Sequence, residues 1–113
     1  MTTIISRVEL RQLIDDHAVT VVDALPASYY EQAHLPTAIN LVEDEVATRA
    51  AELLPDKAAA IVTYCSNTAC HNSGKVALSL EKLGYTNVRK YAGGIQDWTE
   101  AGLPVEGTNA ATV

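Results

Sequence analysis

Two thiols decide which chemistry this chain is equipped to do. Cys65 and Cys70 stand five residues apart in Tyr64-Cys65-Ser66-Asn67-Thr68-Ala69-Cys70-His71-Asn72-Ser73-Gly74, and the chain has no other cysteine. A cysteine reacts as its thiolate, which is favoured where N–H groups, a cation or a helix N-terminus face the sulfur. Cys65 follows directly from Ile61-Val62-Thr63-Tyr64, an apolar, β-branched run that reads as the end of a strand. Helical spacing resumes about eight residues later, at Ser73. A strand–loop–helix unit turns loop amides inward and brings the positive end of the helix to the same point. The pattern predicts a lowered pKa and a nucleophile at Cys65. The small residues Ser66, Thr68 and Ala69 let the loop turn tightly and offer amides to an anion or a persulfide.

Other readings of the same segment stay open. Cys65 also fits a buried, inert residue that ends a strand. Cys70 fits a resolving thiol that attacks a sulfenate or persulfide on Cys65, and equally a small residue packed under the loop. Zinc takes three or four ligands. Cys65, Cys70 and His71 are the only local candidates, and the next would be the distant His17 or His34, so no metal is expected.

Composition narrows the class. Of 113 residues, 48% are hydrophobic and 19% charged, enough apolar mass for the core of one compact domain. Eight basic against fourteen acidic residues leave a net charge of −6, which repels phosphate backbones and anionic lipids. Nucleic-acid and membrane partners are therefore not expected. The long uncharged stretch from Ala58 to Gly74 is too rich in Thr, Ser, Asn and His to span a bilayer. The N-terminal residues show no basic region followed by an apolar one, so the reading is a soluble, cytoplasmic chain. In that reducing compartment a structural disulfide is not expected.

The elements that must position the thiols follow from local signals. Ile4 and Ile5 make a short apolar start. Ser6 with Glu9 forms a capping box, opening a helix whose apolar face is read as Val8, Leu10, Leu13 and Ile14. Ala18 to Val22 is a buried strand ending at Asp23, and Pro26 starts a helical turn carrying Tyr29, Tyr30 and Glu31. A short strand at Ala38 to Leu41 follows the turn His34-Leu35-Pro36-Thr37. Glu43 to Leu54 has helical spacing and stops at Pro55. Ala59 to Tyr64 is the central strand, and Ser73 to Leu83 a helix with Gly84 at its end. Val88 to Tyr91 is the last strand. Gly93-Gly94 reads as a turn before a short helix from Ile95 to Ala101, closed by Gly102 and Pro104. Alternating strands and helices predict a mostly parallel sheet, with the chemistry beyond its carboxyl edge. Residues 107–113 read as a flexible tail.

These pieces, in order, resemble the rhodanese homology domain. The resemblance rests on Val21-Val22-Asp23, on Tyr30-Glu31-Gln32-Ala33-His34-Leu35-Pro36-Thr37-Ala38-Ile39-Asn40 and on Tyr64-Cys65 at a strand end. It continues through Leu83-Gly84-Tyr85, Val88, Tyr91-Ala92-Gly93-Gly94-Ile95-Gln96-Asp97-Trp98 and Gly102-Leu103-Pro104. It implies a three-layer α/β domain over residues 1–106, with a five-stranded central sheet flanked by helices. The activity implied is a sulfurtransferase, in which one cysteine takes a sulfane sulfur as a persulfide and passes it to a thiol or cyanide. Cys65 would carry the sulfur, and the backbone of Ser66, Asn67, Thr68, Ala69, Cys70 and His71 would cradle it. Asp23, His34 and Trp98 would be structural. The implied partners are a small-molecule sulfur donor, a small-molecule acceptor and, as a further class, a sulfur-accepting protein. No cofactor is implied, and a monomer is expected.

The chain departs from the family pattern in places. Leu25 stands where an arginine is common, Ala33 and Thr37 replace glycines, and the loop after Cys65 is long, with no Arg or Lys before Lys75. The missing loop arginine argues against phosphate ester or arsenate chemistry. Two other readings accompany the sulfurtransferase. One is a redox-coupled thiol enzyme using Cys65 with Cys70, and the other is an interaction module that keeps the fold without turnover.

Overall fold

The computed structural model describes residues 3–108. Five parallel strands, β1 (Thr3–Ile4), β2 (Thr20–Asp23), β3 (Ile39–Asn40), β4 (Ile61–Tyr64) and β5 (Val88–Tyr91), lie in the order β1-β5-β4-β2-β3. The helices are α1 (Arg7–Asp15), α2 (Ala27–Gln32), α3 (Val46–Leu53), α4 (Asn72–Lys82) and α5 (Gly94–Glu100). β4 takes the middle of the sheet with every residue buried, as an apolar run without alternation requires.

Register makes the site possible. Asp23 pairs with Asn40 and with Tyr64, and Tyr64 pairs with Tyr91, so four strands end in one row. The segments leaving that row therefore open together at the carboxyl edge of the sheet.

Side chains alternate across the sheet with a period of two. Val21, Val62, Tyr64 and Tyr91 join one core with Leu10 and Ile14 of α1 and Trp98 of α5. Val22, Ile61, Cys65 and Val88 join the other with Ala50 of α3 and Val76, Ala77 and Leu80 of α4. This is the three-layer α/β architecture expected from the alternation of elements. Parity sends Cys65 to the α4 side and Tyr64 to the opposite side.

Local signals account for most element ends. Ser6 caps α1 by accepting the Glu9 N–H at 3.1 Å, while the Glu9 carboxylate accepts from Arg89 of β5 at 2.9 Å. Gly84 follows α4 at φ +99°, the left-handed conformation that glycine tolerates. Two details differ from the sequence reading. Val8 is 75% exposed, because two residues along a helix is 200° of turn and puts it opposite Leu10. The segment from Glu43 opens as a 3-10 turn, Glu43–Glu45, with the Glu45 N–H on Val42 O at 3.0 Å, and becomes α-helical only at Val46.

Thr37 holds φ +67°, a left-handed conformation that a β-branched side chain resists. Its position is exposed, so the strain is not offset by packing. Thr37→Gly is expected to raise stability by about 1 kcal/mol, strain relief exceeding the added unfolded-state entropy. A urea melt would show this as a higher midpoint at an unchanged slope; a lower midpoint would refute it.

The chain end is partly accounted for. Glu106 and His34 exchange N–H···O bonds at 2.9 Å, and the Thr108 N–H donates to Glu31 O at 3.0 Å. Gly107, at φ +120°, lies against the Gln32 carbonyl, so residues 107 and 108 of the expected tail are hydrogen-bonded or packed on α2. Residues 109–113 of that tail lie outside the described residues. No helix among the described residues is long and apolar enough to cross a membrane.

Candidate active site

β4 ends at Tyr64, and Cys65 begins the loop that leads into α4. Its residue is 1% exposed, and its Sγ lies 3.3 Å from the Ser73 hydroxyl in the first turn of α4. Ser73 is itself buried, and its carbonyl accepts from Thr63 Oγ1 at 2.9 Å. The strand thus holds the start of the helix by one side-chain bond, and the helix presents a hydroxyl to the cysteine.

The loop is clamped from the far side of the sequence. α5 begins at Gly94, and its first amides cap the loop: Ile95 N–H donates to Cys65 O and Gln96 N–H to Ser66 O, both at 2.9 Å. Asn67 Nδ2 donates to Gln96 Oε1 at 3.0 Å. Gly94 is required here, because a Cβ on it would fall on Cys65 O and within 2.7 Å of the Ser66 carbonyl. Asn72 Nδ2 reaches Ala24 O at 3.4 Å and ties the end of the loop to the segment after β2.

Within the loop, Asn67 folds the chain on itself. Its Oδ1 accepts the Ala69 N–H at 2.9 Å and its carbonyl accepts the Cys70 N–H at 3.0 Å. Those two amides therefore bond inside the loop. Thr68, Ala69 and His71 are exposed, and Ser66, Asn67 and Cys70 are half-buried. His71 occupies the N-cap of α4 without a side-chain cap bond.

The two thiols are shifted in opposite directions, and Cys65 moves away from the lowered value that its position in the sequence suggests. Burial pushes the Cys65 thiol above its ordinary value, and its bond to Cys70 pushes the same way, with Ser73 only partly compensating. Burial also opposes a Cys70 thiolate. There, however, bonds from the Cys65 thiol, the N–H groups of Ser66 and Asn72 and the Ser66 hydroxyl outweigh it, leaving Cys70 below its ordinary value.

A cleft of about 470 Å³ opens at the same sheet edge, lined in part by Asn40, Asn72, Lys75 and the acids Glu43, Asp44 and Glu45. Lys90 of β5 lies against α4, its Nζ 3.5 Å from where a Cβ on Gly74 would be. Among the described residues no three His, Cys, Asp or Glu side chains gather as a metal site.

Comparison with known proteins identifies this arrangement. The sequence matches the rhodanese-like domain over residues 6–101. The chain belongs to the rhodanese-like family. It is 37% identical over 76 residues to the thiosulfate sulfurtransferase PspE of Escherichia coli, covering 67% of this chain and 70% of that one. It is 35% identical over 102 residues to the HTH-type transcriptional regulator Rv0324 of Mycobacterium tuberculosis. That match takes in 90% of this chain but only 44% of the regulator. Among solved structures, the BH2092 protein of Bacillus halodurans superposes with a TM-score of 0.88 at 30% identity, covering 99% of this chain and 82% of that one. An E. coli rhodanese determined with anions gives 0.66 at 32% identity, over 80% of this chain and all of that one.

The rhodanese signature residues serve the frame. Asp23, fully buried, accepts the Leu25 N–H at 2.8 Å and the Tyr64 hydroxyl at 2.6 Å. The backbone of Leu25 thus partners Asp23 where an arginine is common in the family. The same Tyr64 hydroxyl accepts the Leu35 N–H at 3.0 Å, tying β4 to the His34-Leu35 turn. His34 stacks on Tyr30 with centroids 3.9 Å apart, and its Nδ1 lies 2.7 Å from Tyr30 O. Trp98 is buried and donates from Nε1 to Pro104 O at 2.7 Å, anchoring α5 and, through it, the loop clamp. The contacts of Ser73, Ile95 and Gln96 with the Cys65 segment were not expected from the sequence. For Ile95 and Gln96 the signal was Gly93-Gly94, which marks a close approach as readily as a turn.

Proposed function

We propose that this rhodanese-like chain is a sulfurtransferase that stores a sulfane sulfur as a persulfide on Cys65. The observation that carries the reading is the buried Cys65 Sγ at the end of the central strand, beside the Ser73 hydroxyl at 3.3 Å. The outer sulfur of the donor forms a bond to a cysteine thiolate, and the donor leaves as sulfite or as a thiolate. An acceptor thiolate or cyanide then attacks that sulfur, and the cysteine thiolate leaves. Ser66, Asn67, Thr68, Ala69, Cys70 and His71 form the loop that would hold the substrate.

The loop bears no Arg or Lys, and in the neighbouring cleft Lys75 stands against three acids, so a dianion such as thiosulfate meets no net positive charge. A low-molecular-weight persulfide is the better donor on these grounds. The relative named a thiosulfate sulfurtransferase keeps thiosulfate in consideration. The second free thiol, Cys70 in the same loop, favours a second reading, in which Cys70 displaces hydrosulfide from a Cys65 persulfide and closes a disulfide. Two free thiols fit the cytoplasm. The loop is built from one chain, so a monomer suffices and no cofactor is called on.

Intact mass spectrometry of the reduced protein tests the reading. After incubation with glutathione persulfide and removal of excess donor, the wild type is expected to retain one added sulfur, and Cys65→Ser to retain none. The same measurement with thiosulfate is expected to give slower loading. No gain with either donor in the wild type refutes the sulfurtransferase reading, and a thiosulfate rate equal to the persulfide rate refutes the donor preference.

A further inference from the structure

The start of α5 holds the Cys65 segment, and a three-membered network holds the start of α5. Arg7 Nη1, at the beginning of α1, lies 3.0 and 3.1 Å from the two Asp97 carboxylate oxygens. The Tyr91 hydroxyl, at the end of β5, donates to Asp97 Oδ2. Tyr91 is buried, whereas the side chains of Arg7 and Asp97 are 40% and 39% exposed. An ion pair that exposed contributes little by itself. Its consequence lies in what it abuts. A Cβ on Gly93 would meet Asp97 Cβ at 2.7 Å, and one on Gly94 would fall on Cys65 O. The two glycines therefore fill the space between the Asp97 side chain and the Cys65 backbone with no room to spare. Ile95 and Gln96 follow directly, and their N–H groups hold Cys65 O and Ser66 O.

We infer that Asp97 is a positioning residue for sulfur transfer, setting the place of Cys65 through the first turn of α5. The inference rests on the sulfur-transfer reading above and adds to it a residue that acts through α5 rather than on the sulfur. The Asp97 carboxylate ties that turn to β5 through Tyr91 and to α1 through Arg7. The turn in turn fixes the Cys65 carbonyl, and with it the stance of Sγ beside the Ser73 hydroxyl. Without the carboxylate the first turn can slide, and a displacement of about 1 Å at a reacting group costs up to about 100-fold in rate. Position rather than charge is at stake, so an amide can serve. Asparagine at this place keeps an oxygen for Arg7 and turns an N–H to the Tyr91 hydroxyl oxygen.

Quenched loading of the full chain with glutathione persulfide tests this role, with urea melts to show that each variant is folded. Asp97→Ala is expected to lower the loading rate at saturating donor about tenfold, with the half-saturating donor concentration held within about twofold. Asp97→Asn is expected to recover the rate to within about threefold of the wild type. Hydrogen exchange gives a readout apart from turnover. The Ile95 and Gln96 amides are expected to exchange about tenfold faster in Asp97→Ala than in the wild type. Tyr85→Phe is the control for lost stability alone. It removes a buried hydroxyl that donates to Ala50 O and Leu54 O, at the far ends of α3 and α4. That variant is expected to lower the urea midpoint and to load at the wild-type rate. Wild-type loading in folded Asp97→Ala, or Asp97→Asn as slow as Asp97→Ala, would overturn the positioning role and leave storage on Cys65 intact. Unchanged exchange at Ile95 and Gln96 would overturn the link from Asp97 to the clamp. A wild type that takes up no sulfur would overturn the sulfur-transfer reading itself.

Discussion

Gly94→Ala is expected to cost about 3 kcal/mol of stability and to slow sulfur loading on the order of 100-fold. Two penalties combine. Gly94 holds φ +66°, where an alanine costs about 1 kcal/mol. Its new methyl group would also fall on the Cys65 carbonyl oxygen and lie 2.7 Å from the Ser66 carbonyl carbon and oxygen. Those atoms are backbone and cannot rotate away, so the loop or α5 must move. Either movement breaks the bonds from Ile95 N–H and Gln96 N–H that hold the loop at 2.9 Å. Gly102→Ala supplies the comparison. Gly102 sits at φ +78°, but a Cβ there meets nothing within 4 Å, so it carries the conformational cost alone. Urea melts and quenched loading on both variants separate the terms. Equal effects at the two positions would show that the clamp on Cys65 and Ser66 is not what positions the loop.

Tyr64→Phe is expected to cost about 3 kcal/mol at neutral pH, a large change for the loss of one oxygen atom. The Tyr64 hydroxyl is fully buried, donates to Asp23 Oδ2 and accepts from Leu35 N–H. Phenylalanine leaves both partners unsatisfied, in a place water does not reach. The cost also depends on pH. Burial holds the Asp23 carboxyl above its ordinary value, and the Tyr64 bond is the main counterweight. Asp23 therefore adds stability below its unfolded pKa of about 3.9, and that contribution is lost as pH rises through its folded value. Without Tyr64 the folded value climbs further and more is lost. The deficit of the variant against the wild type should be widest at neutral pH and should narrow as pH falls through the folded pKa of Asp23. Urea melts across that range would show it, and a deficit independent of pH would remove Asp23 from the account. Because Tyr64 precedes Cys65 and its carbonyl accepts the Ala24 N–H at 2.9 Å, the same variant tests how firmly the frame sets the cysteine.

Several features were legible in the residues because their causes are local. The β-branched run at Ile61–Tyr64, the cap at Ser6 and Gly84 after α4 each reflect sterics or one hydrogen bond between near neighbours. They place the strands and helices, and with them Cys65 at the carboxyl end of the central strand, beside a helix start. The family resemblance draws on the same ordered pieces, and the match over residues 6–101 bears it out. Val8 was misread because one apolar residue near a helix start does not say which way the helix is turned.

The relation between the two thiols was not legible in this way. Position alone made Cys65 the acidic one, since a strand end facing a helix is where loop amides converge. The tertiary structure buries Cys65, and that burial opposes its thiolate. It also brings Gln96 across 29 residues to Asn67, and Arg7 across 90 residues to Asp97 at the base of the clamp. Residue types and spacing determined which groups this protein has and which elements carry them. Only the sheet order, which sets β5 and its following helix beside β4, decided which amides meet the carbonyls of Cys65 and Ser66. A hydrogen bond depends on tenths of an ångström between groups far apart in the chain, and no local pattern holds that distance.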